Sequence, residues 1–265
     1  MREFKSLMFV TGALYILGVC TSCKDDKLGD PIIVSNIKKE FYLDIAEDLG
    51  PESRITEFKV RTIEDSECLN GTIDFDYSHI GNRLTVLLNE VVIPDDCIPG
   101  IAPSTADVTA GELASGFYLF HFDLRNTVKN NGTLVVEDNR YLLELETEEG
   151  VILLHKEVFR VPENTLWGYV AYNDVNQQPD AESILDQIRF YGMVPALEHG
   201  YYGFFTINNS DPGIEISNVV QANFISPFIM NYDGDWAYMK GLVEDLESTY
   251  PEVSIKMFDD KGGTY

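Results

Sequence analysis

Short segments in which apolar and polar residues alternate one by one constrain the fold of this 265-residue chain more than any other feature. Within one of them, Ile73, Phe75 and Tyr77 alternate with two aspartates. Successive side chains of a β-strand point to opposite faces, so the pattern predicts a half-buried strand. Similar segments, without a helical period, recur in the first two thirds of the chain: Glu57–Ile63, Gly71–Tyr77, Arg83–Leu88, Phe117–Leu124, Gly132–Glu137, Tyr141–Glu146 and Val151–Arg160.

Seven or more short strands with turn signals between them are typical of an immunoglobulin-like β-sandwich, which we predict for residues 36–163. Asn70-Gly71 and Asn131-Gly132 are expected in tight turns, because both residue types tolerate positive φ. The Pro-containing segment Pro94–Gly116 is expected to be a long connection. It either covers an edge of the sandwich or forms one wall of a binding site.

Residues 164–265 have a different pattern and are expected to form a second, α+β domain. Strands are predicted at Leu166–Tyr172, Tyr201–Ile207, Phe224–Asn231 and Val253–Met257. The order β-α-β-β-α-β is that of the ferredoxin-like split βαβ unit, with two helices on one face of four strands. The first helix is expected to begin at Asp180 and the second at Asp233 or Asp235; their buried stripes are Ile184, Leu185, Ile188 and Tyr191, and Trp236, Met239, Val243, Leu246 and Tyr250.

The N-terminus has the pattern of an export signal. A basic start is followed by the apolar run Leu7–Val19, which is too short to cross a bilayer as a helix, and then by Cys20 and Cys23. Cys23 is the better candidate for lipid modification, because the small Ser22 suits cleavage just before it. We therefore predict a signal peptide over residues 1–22 and a tether over residues 23–35. An ordinary secretory signal is the alternative.

Lys24-Asp25-Asp26, directly after Cys23, resembles the short acidic tag of surface-exposed lipoproteins of Bacteroidota. The resemblance implies an outer-membrane, lipid-anchored protein that is exposed at the cell surface. Many such lipoproteins accompany outer-membrane uptake machinery, and pilus proteins of these bacteria can also begin as lipoproteins. The resemblance is limited to the signal region and carries no binding residue with it.

The charge balance limits the classes of partner. With 44 acidic and 19 basic residues, the formal net charge is -25. Nucleic acids and anionic headgroups would be repelled over the whole surface, so neither is expected as a partner. Neutral glycans, cations and basic proteins remain compatible. The same charge also serves as a solubility device for an exposed protein.

Two cysteines, Cys68 and Cys97, remain outside the signal region. In an oxidising compartment such a pair is most simply a disulfide, and two buried free thiols are the alternative. A zinc site is not expected, since there is no Cys-x-x-Cys pair and no closely spaced His. No cofactor is predicted.

Sequence motifs of enzymes are missing, and no catalytic residue is predicted. The chain has no HExxH, GxSxG, Walker A or GxGxxG motif. A glycosidase, however, needs only two carboxylates that can be far apart in sequence. His121 and His155 lie in predicted strands and are interpreted as structural. His199, beside Glu198 and two aromatic residues, is either a ligand-binding candidate or a turn histidine.

Aromatic residues supply the remaining candidates. Tyr201, Tyr202 and Tyr238 can stack on sugar rings or anchor a protein interface, and Tyr238 is expected to be exposed because it falls off the buried stripe of its helix. Asn231–Asp235 resembles the start of a calcium loop but lacks its later Glu. Helix capping explains the same residues, so no metal site is predicted.

These observations favour a non-enzymatic surface lipoprotein that binds a glycan or a protein partner within an outer-membrane complex. A structural subunit of a surface filament is the first alternative and would need a detachable strand or an open groove. A secreted hydrolase is the second and would need a deep pocket with two carboxylates or an activated nucleophile.

Overall fold

The structure is a computed structural model that describes residues 37–125, 127–209 and 213–265. The predicted mostly-β class is confirmed, because the described residues form sixteen strands, two α-helices and one short 3₁₀ helix. The predicted signal peptide, the lipidation residue Cys23 and the tether lie outside the described residues. Asn36–Tyr265 forms one compact unit, and its division into domains at residue 163 stays a prediction.

The first ten strands form one continuous sheet. In chain order they are β1 (Phe41–Leu49), β2 (Arg54–Cys68), β3 (Thr72–Ile80), β4 (Arg83–Val92), β5 (Pro99–Gly111), β6 (Gly116–Leu124), β7 (Val128–Val136), β8 (Arg140–Leu145), β9 (Val151–Leu153) and β10 (Glu157–Phe159). Across the sheet the order is β10-β8-β7-β6-β4-β3-β5-β2-β1-β9. Most neighbours are antiparallel, whereas β1 with β9, β3 with β5 and β4 with β6 are parallel.

This sheet curls so that one of its faces encloses a core. Phe58 of β2 and Phe120 of β6 are separated by three strands, yet their ring centroids are 4.7 Å apart. In a flat sheet four strand spacings would put them about 19 Å apart. Tyr141 of β8 likewise reaches Thr56 of β2, with 3.2 Å between their hydroxyl oxygens. The alternating apolar residues therefore face one another across the curl, as the sequence pattern requires.

The two edges of the sheet are joined by one short stretch of chain, residues 151–159, which we call the seam. We predicted a single strand here, and this was wrong: β9 pairs with β1 at one edge and β10 with β8 at the other. On either side of the crossing, Leu154 N–H donates to Leu43 O at 2.9 Å and Leu143 N–H donates to Lys156 O at 2.8 Å. His155 lies at the centre of the seam.

Two other predictions for this part of the chain were also wrong. The expected connection at Pro94–Gly116 contains β5, which buries Ser104, Ala106 and Val108. Because its inward residues are small, the segment does not show the alternation of large apolar and polar residues that indicates a strand. Pro103 is tolerated because it lies beside a shift in the pairing register with β2. Asn131-Gly132 is not a turn but the middle of β7. A side chain at Gly132 would collide with the Glu144 carbonyl oxygen, so close approach of β8 explains the glycine.

The later part of the chain is built on a three-stranded sheet. Its central strand is β11 (Thr165–Tyr172), and β15 (Phe224–Asn231) and β16 (Ser254–Asp259) pair with β11 on either side, both antiparallel. Two helices cover one face through a shared apolar core. The helices are α1 (Gln178–Arg189) and α2 (Trp236–Thr249). The predicted strand at Tyr201–Ile207 does not join this sheet. An isolated bridge between Met193 and Asn231 lies beside β15.

The helix starts agree only in part with the sequence expectation. Asp235 caps α2, accepting the Ala237 N–H at 2.9 Å. Asp180 does not cap α1, which begins earlier and carries Asp180 in its first turn. The reason is the preceding 3₁₀ turn, Val175–Gln177, whose capping box uses Asp174.

The other face of β11 is covered by a small sheet inserted between α1 and β15. It consists of β12 (Gly200–Tyr201), β13 (Phe205–Ile207) and β14 (Ile214–Ile216). We predicted one strand over Tyr201–Ile207, but Gly203, with φ of +82°, turns the chain in its middle. Tyr202 and Phe205 pack on Trp167 and its neighbours, so both faces of β11 are buried.

Two glycine-to-alanine substitutions are expected to change stability in opposite directions. A Cβ at Gly168 in β11 would collide with the Lys256 carbonyl, so we expect Gly168→Ala to lower the free energy of unfolding by about 1–3 kcal/mol. A Cβ at Gly241 in α2 meets no atom, so Gly241→Ala should raise it by about 0.5–1 kcal/mol. Urea unfolding of both variants checks this, and a Gly168→Ala variant as stable as wild type would contradict the packing around β11.

Candidate functional site

The best-formed candidate site is a pocket of about 570 Å³, here called the aromatic pocket. One wall is the outer face of β1 and β2, where Asp44 pairs with Lys59 and Ala46 with Glu57. The other walls are the turn between β12 and β13 and one face of the three-stranded sheet. Four aromatic residues line it: Trp167, Tyr201, Phe204 and Phe258.

The local fold explains why these rings converge. Trp167 and Phe258 are paired in the register of β11 and β16, so their side chains share a face of the sheet. Their rings stack with centroids 6.0 Å apart, and Phe204 lies 5.4 Å from Trp167. The β12–β13 turn then presents Tyr201 on the opposite side, toward β1. The pocket is thus formed by segments that are distant in sequence.

Two residues that line the pocket, Asp44 and Tyr201, form a cluster with His155 of the seam. The Nδ1 atom of His155 lies 3.0 Å from a carboxylate oxygen of Asp44 and donates to it. The His155 ring also stacks on Tyr201, with centroids 3.8 Å apart and planes 19° apart. The Tyr201 hydroxyl donates to Gly203 O at 2.9 Å, which fixes the phenol ring.

Burial governs the electrostatics of this cluster. Loss of solvent raises the pKa of Asp44, and the hydrogen bond from His155 partly offsets that rise. Burial, helped by the nearby Asp44 charge, raises the pKa of Tyr201 to about 12. Tyr201 therefore stays protonated near neutral pH and presents an uncharged aromatic ring to the pocket.

The four residues predicted as ligand-binding do not lie together. Tyr201 lines the aromatic pocket. Tyr202 is in the core, where its ring stacks on Phe159 and Phe205. Tyr238 is exposed, as expected, and its hydroxyl donates to that of Tyr191 at 2.7 Å, in a separate region on the helices. His199 is exposed and is not among the residues that line the aromatic pocket.

Sequence reasoning missed Asp44 and Trp167, which line the pocket, and His155, which contacts the lining residues Asp44 and Tyr201. Strand β1, which carries Asp44, was not predicted, and His155 was interpreted as an ordinary strand residue. The one local signal for the role of His155 was that it interrupts an apolar run. The interruption falls where the chain passes from one sheet edge to the other. The pairing with Asp44, 111 residues away, depends on the curl of the sheet.

A second pocket, of about 530 Å³, lies beside a buried ionic network centred on Glu47. The Glu47 carboxylate accepts from Arg160 Nε at 2.7 Å and from the Tyr141 hydroxyl at 2.8 Å, and it lies 3.7 Å from Arg54. Arg54 also pairs with Asp260 and donates to Val161 O. The cations of this pocket thus hold β1, β2 and the start of the later sheet together.

Cys68 and Cys97 are joined as a disulfide in the structure, with Cα atoms 5.6 Å apart. The bridge links the end of β2 to the residues just before β5. Within the described residues, no group of three or more His, Cys, Asp or Glu side chains could hold a metal ion. Neither helix of that same part of the chain has the length and apolar character needed to cross a membrane.

Comparison with protein-family models, with curated proteins and with solved structures found no match for this chain. Its class is therefore defined by its own structure: a mostly-β protein with a curled ten-stranded sheet, a helix-covered three-stranded sheet and a pocket lined by aromatic rings.

Buried tyrosines predict a loss of stability at alkaline pH. Burial raises the pKa of Tyr201, Tyr202 and Tyr265 to about 12, above the value of about 10 in an unfolded chain. The unfolded state then binds fewer protons than the folded state, so stability is lost as the pH rises from about 10 to 12. Urea midpoints from pH 8 to 12 should fall, and Tyr202→Phe should flatten the fall; an unchanged slope in that variant would count against the prediction.

Proposed function

We propose that this protein is a lipid-anchored, non-enzymatic binding protein of the cell surface, and that it holds a neutral glycan in the aromatic pocket. The export signal and Cys23 support the location. The aromatic pocket supports the activity, because four aromatic rings and several hydrogen-bonding side chains line one concave site there. Its volume is within the range of small-ligand sites.

A neutral sugar fits the chemistry of this pocket. Aromatic rings such as those of Tyr201 and Phe204 offer apolar faces to the C–H groups of a pyranose ring. The Asp44, Glu57 and Lys59 side chains, with Asn218 at the rim, offer acceptors and donors to its hydroxyls. The excess of carboxylates, like the net charge of -25, disfavours anionic ligands.

The same proposal extends to the finer architecture. The curl of the ten-stranded sheet supports an immunoglobulin-like sandwich over residues 36–163, with the seam as the strand that changes layers. The strand order β15-β11-β16 and the Met193–Asn231 bridge support a ferredoxin-like unit over residues 164–265 whose outer strand is reduced to one bridge.

One observation favours the hydrolase alternative. Asp44 fixes Nδ1 of His155 as a donor, which leaves Nε2 as the ring nitrogen that can accept a proton. A His held in this way beside a pocket can act as a general base. The filament alternative gains no such support, since the seam joins both edges of the ten-stranded sheet.

The experiment is a glycan array probed with residues 24–265, which contain the whole compact unit, together with an assay for newly formed reducing ends. We expect binding without turnover, loss of binding in Tyr201→Ala and full binding in Tyr238→Ala, an exposed tyrosine outside the pocket. Turnover that disappears in His155→Gln would instead establish the hydrolase. Binding that survives Tyr201→Ala would refute the proposed site.

The anchor is tested separately. Cys23→Ala should leave the protein without lipid and release it into the soluble fraction. If that variant stays in the membrane with fatty acid on Cys20, the modified residue has been assigned wrongly.

A further inference from the structure

A second surface, on the helical side of the molecule, has the composition of a protein interface. Helices α1 and α2 flank a groove of about 510 Å³, here called the helix groove. Its apolar lining comes from Pro179, Phe190, Tyr191 and Leu242. Its polar lining includes Glu182 and Asp186, which are exposed.

Large apolar side chains are exposed where the groove meets the end of α1. Phe190 is 81% exposed and Val194 88% exposed, and Met193 between them is also exposed. The rings of Phe190, Tyr191 and Tyr238 are in consecutive edge contact, with centroids 5.2 Å apart in each pair. Apolar side chains exposed singly are ordinary, but a contiguous group with a polar rim marks an interaction surface.

The backbone that carries these side chains is fixed. Met193 and Asn231 exchange two backbone hydrogen bonds, of 3.1 and 2.7 Å, which tie this segment to β15. A Cβ at Gly192 would collide with Met230 and with the Asn231 carbonyl oxygen, so the segment lies directly against the sheet. The backbone of the patch is therefore held against the sheet, which lowers the cost of ordering this segment on binding.

Charge selects the kind of partner. Glu182, Asp186 and Phe190 follow one another at four-residue spacing, so two carboxylates lie in line with the exposed ring along α1. Arg189, the cation next to Phe190, is directed to the Pro227 carbonyl on β15. A second copy of a chain with net charge -25 would be repelled, whereas a basic segment would be attracted.

We propose that the helix groove binds a partner protein through a segment in which an apolar side chain packs on Phe190 while neighbouring Lys or Arg side chains pair with Glu182 and Asp186. Large aromatic side chains are frequent anchors of interface hot spots, and complementary charges add selectivity for the partner. The inference does not depend on glycan binding, because the helix groove and the aromatic pocket share no lining residue.

The probe is a fluorescent amphipathic peptide of Leu and Lys, compared with its Leu and Glu counterpart, in anisotropy titrations of residues 24–265. We expect the Lys peptide to bind. Phe190→Ala and the double variant Glu182→Lys/Asp186→Lys should each lower the affinity for this peptide by about tenfold. The matched control is Glu244→Lys/Glu247→Lys, exposed positions on α2 that do not line the groove and give the same change in net charge. It should stay within about twofold of wild type.

Several results would overturn the proposal. Equal weakening by the two charge-reversal pairs would mean general attraction to an acidic protein, and equal binding of the Glu peptide would exclude charge selection. If the Lys peptide does not bind, the proposal that the helix groove binds a basic segment is wrong. Self-association abolished by Phe190→Ala would assign the groove to a second copy, and array binding lost in Phe190→Ala alone would assign it to a carbohydrate.

Discussion

Glu47→Ala is expected to lower the free energy of unfolding by about 3–5 kcal/mol, because it leaves two largely buried guanidinium groups without their shared carboxylate. The Glu47 side chain is 5% exposed and lies between Arg160 and Arg54. Arg54 in turn donates to the Val161 carbonyl and pairs with Asp260. The variant thus removes the ionic centre that joins β1 and β2 to the later part of the chain. Urea unfolding at neutral pH measures the effect.

The control is a pair of the same type on the surface. Lys38 and Glu64 form an ion pair whose side chains are 73% and 77% exposed. Solvent screens such pairs, so Glu64→Ala should leave the urea midpoint almost unchanged. If Glu47→Ala and Glu64→Ala have equal effects, the network around Glu47 does not hold the structure together as described.

Loss of the Cys68–Cys97 bridge is expected to cost about 3–4 kcal/mol. The bridge closes a loop that contains β3 and β4, with a sequence separation of 29 residues. Removing the bridge raises the conformational entropy of the unfolded chain and so favours unfolding. We expect Cys68→Ser/Cys97→Ser to unfold at lower urea concentration than wild type. Reduction of the wild-type protein should lower its midpoint to the same value.

The double variant also supplies the control, since a reductant should not change its midpoint. Peptide mapping without reduction should recover the two cysteines in one cross-linked fragment. Two free thiols in the native protein, or a midpoint that does not respond to reduction, would contradict the assignment of the bridge.

Local patterns predicted most of the strands and both helices, because alternation and helical periodicity are properties of a few consecutive residues. Phe224–Asn231 was predicted with its observed limits, and Asp235 was among the predicted caps. Strand β5 was missed because its inward side chains are small. Gly132 was placed in a turn, whereas a glycine is required there because Glu144 of β8 approaches too closely for a side chain. Such causes are not visible in a local pattern.

The candidate site was predictable only to the extent of one ring. Tyr201 was selected as an aromatic residue at the end of a predicted strand, and the structure places it in the aromatic pocket. Its partner His155 is 46 positions earlier, and Asp44 is a further 111 positions away; both depend on how the seam closes the sheet. Contacts of this kind follow from the topology, which the sequence pattern did not specify.

One fluorescence titration tests the central claim most directly. The chain has two tryptophans, of which Trp167 lines the aromatic pocket and Trp236 lies on α2, so Trp236→Phe leaves a single reporter at the proposed site. Titration of this variant with the strongest glycan from the array should change the Trp167 emission saturably, and adding Tyr201→Ala should abolish the change. A glycan that binds without altering Trp167 emission, or an array on which nothing binds, would contradict the proposal that the aromatic pocket is a glycan site.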